Sequence, residues 1–221
     1  MAVVVVAGIM CVVGALHFRK NDNYKSALSN VAEARYYMKS AETDGVARIQ
    51  LYSGTREEPY KVDGIAHPNK AFTVVSVEPT DNTIARMAEV PAEITIDGVM
   101  TPITLTKNPY GTNFATDLGR LVEPTSAVSI TLKIDDTTPI VFELQNVMPE
   151  TAIGWERALE IATASVKDKI DTGNGFETYV KVLCDKQTVN TPYWYVTFVT
   201  ADGQTVFVII DATGKVVGKS K

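Results

Sequence analysis

The chain has 221 residues, 45% of them apolar, and a formal net charge of -5. This length and composition suit two small domains, each large enough to bury a core of its own. The acidic balance, without clustered Lys and Arg, excludes the phosphate-neutralising surface that nucleic-acid binding needs, so we expect no nucleic-acid partner.

The chain begins with 18 residues that are almost all apolar and end at the basic pair Arg19-Lys20. A helix of about 20 apolar residues spans a bilayer core of about 30 Å. We therefore predict a membrane anchor over residues 1–20, with the membrane as a partner of this helix. A cleaved signal peptide is an alternative, because residues 13–15 are small enough for a cleavage site. A buried core helix is the third interpretation.

Residues 21–44 follow as a predicted amphipathic helix, whose pattern runs over Asp22–Thr43 with Gly45 just past its end. Large and small apolar residues recur on one face at a seven-residue spacing, which lets a second helix approach closely. We expect this face to pack on the β domain of the same chain. The alternative is a stalk that forms a homo-oligomer through residues 22–43. The candidate self-association residues are Ala27, Val31, Ala34, Met38 and Ala41.

Residues 45–148 read as short strands separated by turns, which predicts an antiparallel β domain built as a sandwich or a barrel. Two hairpins are the clearest elements, one turning at Asp97-Gly98 and the other at Asp135-Asp136. Pro102 opens the first return strand, where a missing amide donor does least harm. The loop 108–113 is a candidate for binding, although a plain connection is the simpler interpretation.

Residues 149–221 change to a pattern of one helix followed by three strands. Apolar residues at helical spacing predict the helix over Thr151–Lys169. The aromatic and β-branched run Tyr193–Val199 predicts a strand that turns back at 201–204 into a return strand, Val206–Ile210.

Trp194 is expected to cover the helix as part of the core. Strand alternation then places Tyr193 and Tyr195 on the opposite face of the sheet. Two neighbouring tyrosines on an open face would suit contact with a protein, so they are the candidate partner-binding residues.

Three segments of this region resemble the PepSY domain family. They are Ile153-Gly154-Trp155-Glu156-Arg157-Ala158-Leu159-Glu160-Ile161-Ala162 on the helix, Pro192-Tyr193-Trp194-Tyr195-Val196 on a middle strand, and Ile210-Asp211-Ala212-Thr213-Gly214-Lys215-Val216-Val217 at the end. Gly154 stands where the family usually has a Ser or Thr helix cap. The resemblance covers residues 151–221, and it implies a small secreted or membrane-tethered domain that restrains or modulates peptidases and other cell-envelope proteins.

The charges and the resemblance disagree about the side of the membrane. Arg19, Lys20 and Lys25 follow the apolar run and no basic residue precedes it, so the positive-inside rule places the body in the cytoplasm. The PepSY resemblance implies an extracytoplasmic body. We follow the resemblance, because a start codon assigned too late would remove the basic residues that the rule counts.

Catalytic motifs are missing from the sequence: it has no Gly-x-Ser-x-Gly, no His-Glu-x-x-His and no phosphate-binding glycine loop. His17 and His67 are its two histidines, and Cys11 and Cys184 lie in segments too different to pair. We therefore expect no enzyme activity, no cofactor, no metal and no disulfide framework.

These elements predict an α+β fold: an N-terminal membrane helix, an amphipathic stalk helix, an antiparallel β-rich middle domain, and a PepSY-like helix-plus-sheet domain. The predicted function is a membrane-anchored, extracytoplasmic, non-catalytic protein whose C-terminal domain binds and modulates a cell-envelope partner such as a peptidase. The alternative is a structural subunit of a pilin-like or stalk-forming surface complex. An enzyme acting on carbohydrate or protein is the third hypothesis.

Overall fold

A computed structural model describes most of the chain from residue 34 onward. The described residues are 34–41, 45–58, 68–134, 139–170, 176–184, 191–200 and 203–220. Strands dominate them, and they form two units: a closed eight-stranded barrel and a four-stranded sheet.

The barrel is antiparallel and contains one short helix. Its elements are β1 Ala34–Lys39, β2 Ala47–Glu57, β3 Asn69–Pro79, α1 Asn82–Ala85, β4 Glu89–Ile96, β5 Val99–Lys107, β6 Phe114–Asp117, β7 Val128–Leu132 and β8 Ile140–Asn146. The strands neighbour one another in the order β1-β2-β3-β6-β5-β4-β7-β8, and β8 pairs with β1 to close the ring. The β3–β4 and β6–β7 connections therefore join strands that are not neighbours, and they cross opposite ends of the barrel.

Apolar side chains that point inward form the barrel core. Alternate residues of β2, such as Ile49 and Leu51, are buried, and facing strands supply Val75, Ile130 and Phe142. An eight-stranded barrel has an interior about wide enough for side chains to fill. Ile84 of α1 is fully buried in the same core, so this short helix covers one end.

The β6–β7 connection, residues 118–127, closes the other end and is here named the strap. Its Val122 N–H donates to Ser53 Oγ over 2.8 Å, and Thr73 Oγ1 donates to the Arg120 carbonyl over 2.5 Å. The two hydroxyl oxygens lie 2.9 Å apart, and both residues are fully buried. Buried backbone groups are costly when left without partners, so these two hydroxyls allow an irregular segment to lie across the barrel end.

The hairpin predicted at Asp97-Gly98 is confirmed. β4 pairs with β5 up to Ile96 opposite Val99, and the two turn residues have φ of 50° and 81°. Positive φ at both positions is the two-residue turn whose twist matches the twist of the flanking strands. Asp97 Oδ1 also accepts from the Ala127 N–H over 2.9 Å, which fixes the end of the strap to this turn.

The C-terminal unit has one helix and four strands. These are α2 Trp155–Val166, β9 Phe176–Cys184, β10 Pro192–Thr200, β11 Thr205–Asp211 and β12 Val216–Lys219. The sheet is antiparallel, in the order β12-β11-β10-β9. Trp194 lies opposite Val182 and Ile210, and together with Ala158 and Ala162 of α2 they form a second buried core.

β1 contributes to both cores. Met38 is 1% exposed in the barrel core, whereas Tyr37 is 7% exposed in the core of the C-terminal unit. The Tyr37 ring stacks on the Tyr52 ring of β2 at 4.6 Å between centroids. The Arg35 guanidinium lies 4.0 Å from the centre of the Trp155 ring at the start of α2. Successive strand residues point to opposite sides, so one strand joins the two units.

The predicted fold class is wrong: the described residues are mostly β, with the two helices α1 and α2. The predicted amphipathic stalk helix is replaced by β1 over Ala34–Lys39, because the hydrogen-bonded neighbours β2 and β8 override a local helical pattern. No helix in the described part of the chain is long and apolar enough to cross a membrane. The predicted anchor itself, residues 1–20, lies outside the described residues.

Other elements agree with the predictions in part. The antiparallel β domain forms a closed barrel, one of the two predicted alternatives, and its first described strand begins at Ala34, within the predicted stalk helix. α2 is shorter than the predicted Thr151–Lys169 helix: Gly154 is its N-cap in an extended conformation, and the helix ends at Val166. The sequence predicts three strands after this helix, whereas the structure has four.

Replacing Ser53 by Ala tests the hydroxyl pair under the strap. The Val122 N–H loses its acceptor in a buried site, so we expect the free energy of unfolding to fall by about 1–3 kcal/mol. Urea unfolding measures this loss. The control is Ser129→Ala on the outer side of β7, which should change stability by less than about 0.5 kcal/mol. Equal effects of the two substitutions would contradict this role for Ser53.

Tyr37→Phe tests the contact between the two units through its pH dependence. Burial raises the pKa of the Tyr37 phenol, and the neighbouring Tyr52 raises it further. Above about pH 10 the phenol ionises in the unfolded chain and stays protonated in the folded one, so stability falls as pH rises.

We expect the wild-type chain to lose about 0.8 kcal/mol more than Tyr37→Phe between pH 8 and pH 10.5. Urea unfolding at both pH values measures the difference. Tyr110→Phe is the control, because this ring is 97% exposed when folded and should behave like the wild type. If the wild type loses no more unfolding free energy than Tyr37→Phe over this pH range, the raised pKa of the buried Tyr37 phenol is refuted.

Candidate partner-binding surface

Tyr193 and Tyr195 lie on the face of the C-terminal sheet that points away from α2. Trp194, between them, is 3% exposed, and its Nε1–H donates to the Ile153 carbonyl over 3.1 Å just before α2 begins. Side chains alternate along β10, so the two tyrosines project to the opposite face, where both are partly exposed. We name this surface the far face.

The far face carries apolar side chains beside polar ones. The strand register places seven apolar residues there, of which Tyr179 is buried and six are partly exposed: Leu183, Tyr193, Tyr195, Val199, Phe207 and Ile209. It also places Lys181 and Thr205 there, and the buried polar residues Glu177 and Thr197. An antiparallel sheet with one solvated face usually shows polar residues on that face, so the six partly exposed apolar side chains favour contact with a partner. α2 packs on the other face, as the core around Trp194 shows.

Tyr195 lies at the centre of an aromatic contact on the far face. Its ring stacks on Phe207 with 5.7 Å between centroids, and Lys181 Nζ lies 5.4 Å from the Tyr195 ring centre. Stacked aromatic pairs and a cation near a ring each add to the favourable burial of these side chains. Tyrosine presents a large, rigid contact area with few rotatable bonds.

The far face is also regular. β10 pairs with both β9 and β11 without a register shift along its length, whereas a shift at Ile209/Ile210 marks the outer pair β11–β12. A surface held by continuous strand pairing loses little conformational freedom when something binds to it. The six apolar side chains therefore form a pre-organised contact area.

The Asp211 turn lies at one edge of the far face. Asp211 Oδ1 accepts from the Thr213 N–H, the Thr213 hydroxyl and the Lys215 N–H over 2.7–3.0 Å. These hydrogen bonds hold the pKa of the Asp211 carboxyl below its usual range. Gly214 has φ of 94°, and a Cβ there would lie 3.3 Å from Ile161 Cδ1, so the turn packs closely on α2. Residues 211–215, part of the sequence segment that resembles the PepSY family, thus form a tight turn.

The candidate self-association residues do not share a helix face in the described part of the chain. Ala34 begins β1, Met38 is buried in the barrel core, and Ala41 is exposed after the strand. Ala27 and Val31 lie outside the described residues. Homo-oligomer formation stays a prediction, now without the helical seam that suggested it.

The loop 108–113 presents Tyr110, which at 97% is the most exposed large hydrophobic residue in the described part of the chain. Asn108 Oδ1 accepts from the Tyr110 N–H over 3.0 Å, the Asn108 N–H donates to the Asn113 carbonyl over 2.9 Å, and Asn113 Nδ2 donates to Ser76 Oγ over 2.8 Å. These hydrogen bonds hold the loop against itself and against β3. Sequence reasoning found the loop from its Gly, Asn and Pro content, but did not single out Tyr110.

A second exposed apolar pair, Val99 and Met100, lies at the tip of the β4–β5 hairpin, 64% and 60% exposed. Along the described strands, β5 pairs with β6 at Thr106 and Lys107, so its part before them forms an edge. Pro102 lies in that edge and lacks an N–H, which disfavours the addition of another strand. This edge is thus a weaker candidate for binding than the far face.

Within the described ranges, no group of three or more His, Cys, Asp and Glu side chains is arranged to hold a metal ion. Comparisons of the chain with protein-family models, curated proteins and solved structures give no match. The resemblance to the PepSY family stays a prediction from the sequence.

Asp211→Asn tests the turn at the edge of the far face. A carboxylate with a lowered folded-state pKa stabilises the fold at pH values above its unfolded pKa, and this contribution disappears as pH falls through the folded pKa. We expect the variant to be less stable than the wild type at pH 7. The two should become equal once the pH falls below the lowered pKa of the Asp211 carboxyl in the folded chain. Thermal unfolding between neutral and acidic pH measures the stability difference between the two proteins. A difference that is the same at neutral and acidic pH would contradict a stabilising role for the Asp211 carboxylate.

Proposed function

We propose that this chain is a non-catalytic binding protein that holds a partner protein on the far face. The observation that carries this proposal is the set of six apolar side chains arranged in register on a sheet face turned away from α2. Their burial in a complex would be favourable, and tyrosines are common among the residues that dominate binding energy.

The size of the far face suggests weak and reversible binding. Four strands about 4.8 Å apart and about seven residues long cover roughly 300–400 Å². A stable protein complex buries about 800 Å² on each partner, so this face alone supports a transient contact. The barrel would then serve as a spacer or add a second contact surface.

The partner class comes from the family resemblance of residues 151–221. It favours a cell-envelope protein such as a peptidase, modulated outside the cytoplasm, and this remains the finer part of the proposal. The pilin-like or stalk-forming alternative depends on a helix through residue 43, and β1 occupies part of that segment. We therefore do not propose it.

Substitution of the two tyrosines tests the binding surface. The full chain and the double variant Tyr193→Thr, Tyr195→Thr are used to capture proteins from envelope extracts, and each captured protein is then purified and its Kd measured. Threonine keeps the preference for strand structure. We expect the double variant to lose at least about tenfold in affinity, as removal of central aromatic anchors usually does.

Tyr110→Thr is the matched control. Tyr110 lies in the β5–β6 loop of the barrel and not on the far face, so this variant should bind like the wild type. Circular dichroism and thermal unfolding check that each variant is folded. Equal affinity of the wild type and the folded double variant for every purified partner would disprove the proposed surface.

A further inference from the structure

The β1–β2 pair is irregular beside an anchor of the strap. The register shifts between Ala34 and Tyr36, so Arg35 is an extra residue of β1 at this point. Such a bulge increases the local twist of the strand and changes the direction of a side chain. Tyr36 lies opposite Ser53, whose Oγ accepts from the Val122 N–H of the strap over 2.8 Å. The bulge and the strap anchor are therefore next to each other in the same strand pair.

The extra residue contacts the C-terminal unit. The Arg35 guanidinium lies 4.0 Å from the centre of the ring of Trp155, the first residue of α2. Burial lowers the pKa of the Arg35 guanidinium, whereas Tyr36 and Glu156 raise it. A cation over an indole ring is held more strongly when it is shielded from water. Arg35 thus holds the start of α2 against β1.

The next residue, Tyr36, lies within electrostatic range of both the strap and α2. Burial raises the pKa of the Tyr36 phenol, and the carboxylates of Glu123 in the strap and Glu156 in α2 raise it further. Arg35 acts in the opposite direction. Two consecutive residues of β1 therefore act on the strap and on the start of α2 together.

We propose that Arg35 couples the strap to α2, so that the strap stays docked on the barrel end only while α2 is packed against β1. In the docked state the strap is hydrogen-bonded to Ser53 and Thr73, and Val122 is buried in the barrel core. When Arg35 loses the Trp155 ring, the bulge is free to relax. Because Ser53 lies opposite the bulge, the hydroxyl that accepts from the strap shifts with it.

The coupling makes the barrel end responsive to events on the C-terminal unit. A ligand shifts an equilibrium between two states only when it binds them with different affinity. A molecule that displaces α2 from β1 would therefore release the strap and uncover the apolar core beneath Val122. This response goes beyond the proposed function and does not depend on the far face.

Hydrogen exchange of single amides in the full chain tests the coupling, because a buried amide exchanges in proportion to how often its segment opens. The variants are Arg35→Ala and Trp155→Leu, and the second removes the ring without changing any charge. We expect each to raise the exchange rate of the Val122 amide about tenfold, as loss of a shielded cation–π contact allows. The Thr80 amide, which donates to the Val46 carbonyl at the α1 end of the barrel, should change by less than about twofold.

Arg48→Ala is the matched control, because Arg48 is an exposed arginine of β2 between the buried residues Ala47 and Ile49. It should leave the Val122 exchange rate unchanged. The double variant Arg35→Ala, Trp155→Leu should exchange no faster at Val122 than either single variant, because both substitutions remove the same contact.

Circular dichroism checks that each variant is folded, and Trp155→Leu alone decides the outcome if Arg35→Ala does not fold. An unchanged Val122 exchange rate in the folded single variants would overturn the coupling. An equal increase at Val122 and Thr80 would also overturn it, since the contact would then contribute only to overall stability. Neither measurement uses a partner, so the result is independent of the proposed binding surface.

Discussion

The structure depends on one strand whose two sides belong to different cores. In β1, Met38 is buried in the barrel while its neighbour Tyr37 is buried against the C-terminal unit. The stacked Tyr37–Tyr52 pair and the Arg35 guanidinium over Trp155 strengthen the same junction. Since β1 also closes the barrel by pairing with β8, neither core is complete until this strand is in place. The two units are thus expected to unfold together rather than as independent domains.

The sequence correctly predicted those turns and strands whose conformation depends on the residues at that position and their immediate neighbours. Asp97-Gly98 tolerates positive φ and formed the expected turn, and the aromatic run around Trp194 formed a strand with the indole buried. β9 shows period two only around Lys181, between the buried Val180 and Val182; its first five residues are all buried, so a search for alternation would find only part of the strand.

The misassigned elements are those that distant pairing decides. The seven-residue recurrence of Tyr24, Val31 and Met38 resembles a helix seam, but Met38 lies in a strand because it pairs with Leu51 and Asn146. Partners this far along the chain leave no trace in a local pattern. The same holds for the far face: alternation predicts that Tyr193 and Tyr195 share a side, while the presence of Phe207 and Ile209 beside them depends on the β10–β11 register.

The strap over the barrel end has a consequence for folding. Its two anchoring hydroxyls, Ser53 and Thr73, come from directly opposed positions of β2 and β3. A slip of one residue between these strands would turn one set of side chains to the outside, and the pair of hydroxyls would no longer exist inside. The strap can bind to these hydroxyls only after β2 and β3 have paired in the correct register. Closure of this barrel end is therefore expected late in folding, and only in correctly paired chains. In misaligned chains this end of the barrel would stay uncovered, with apolar core residues exposed to solvent. Such chains would be more accessible to proteases than correctly paired ones.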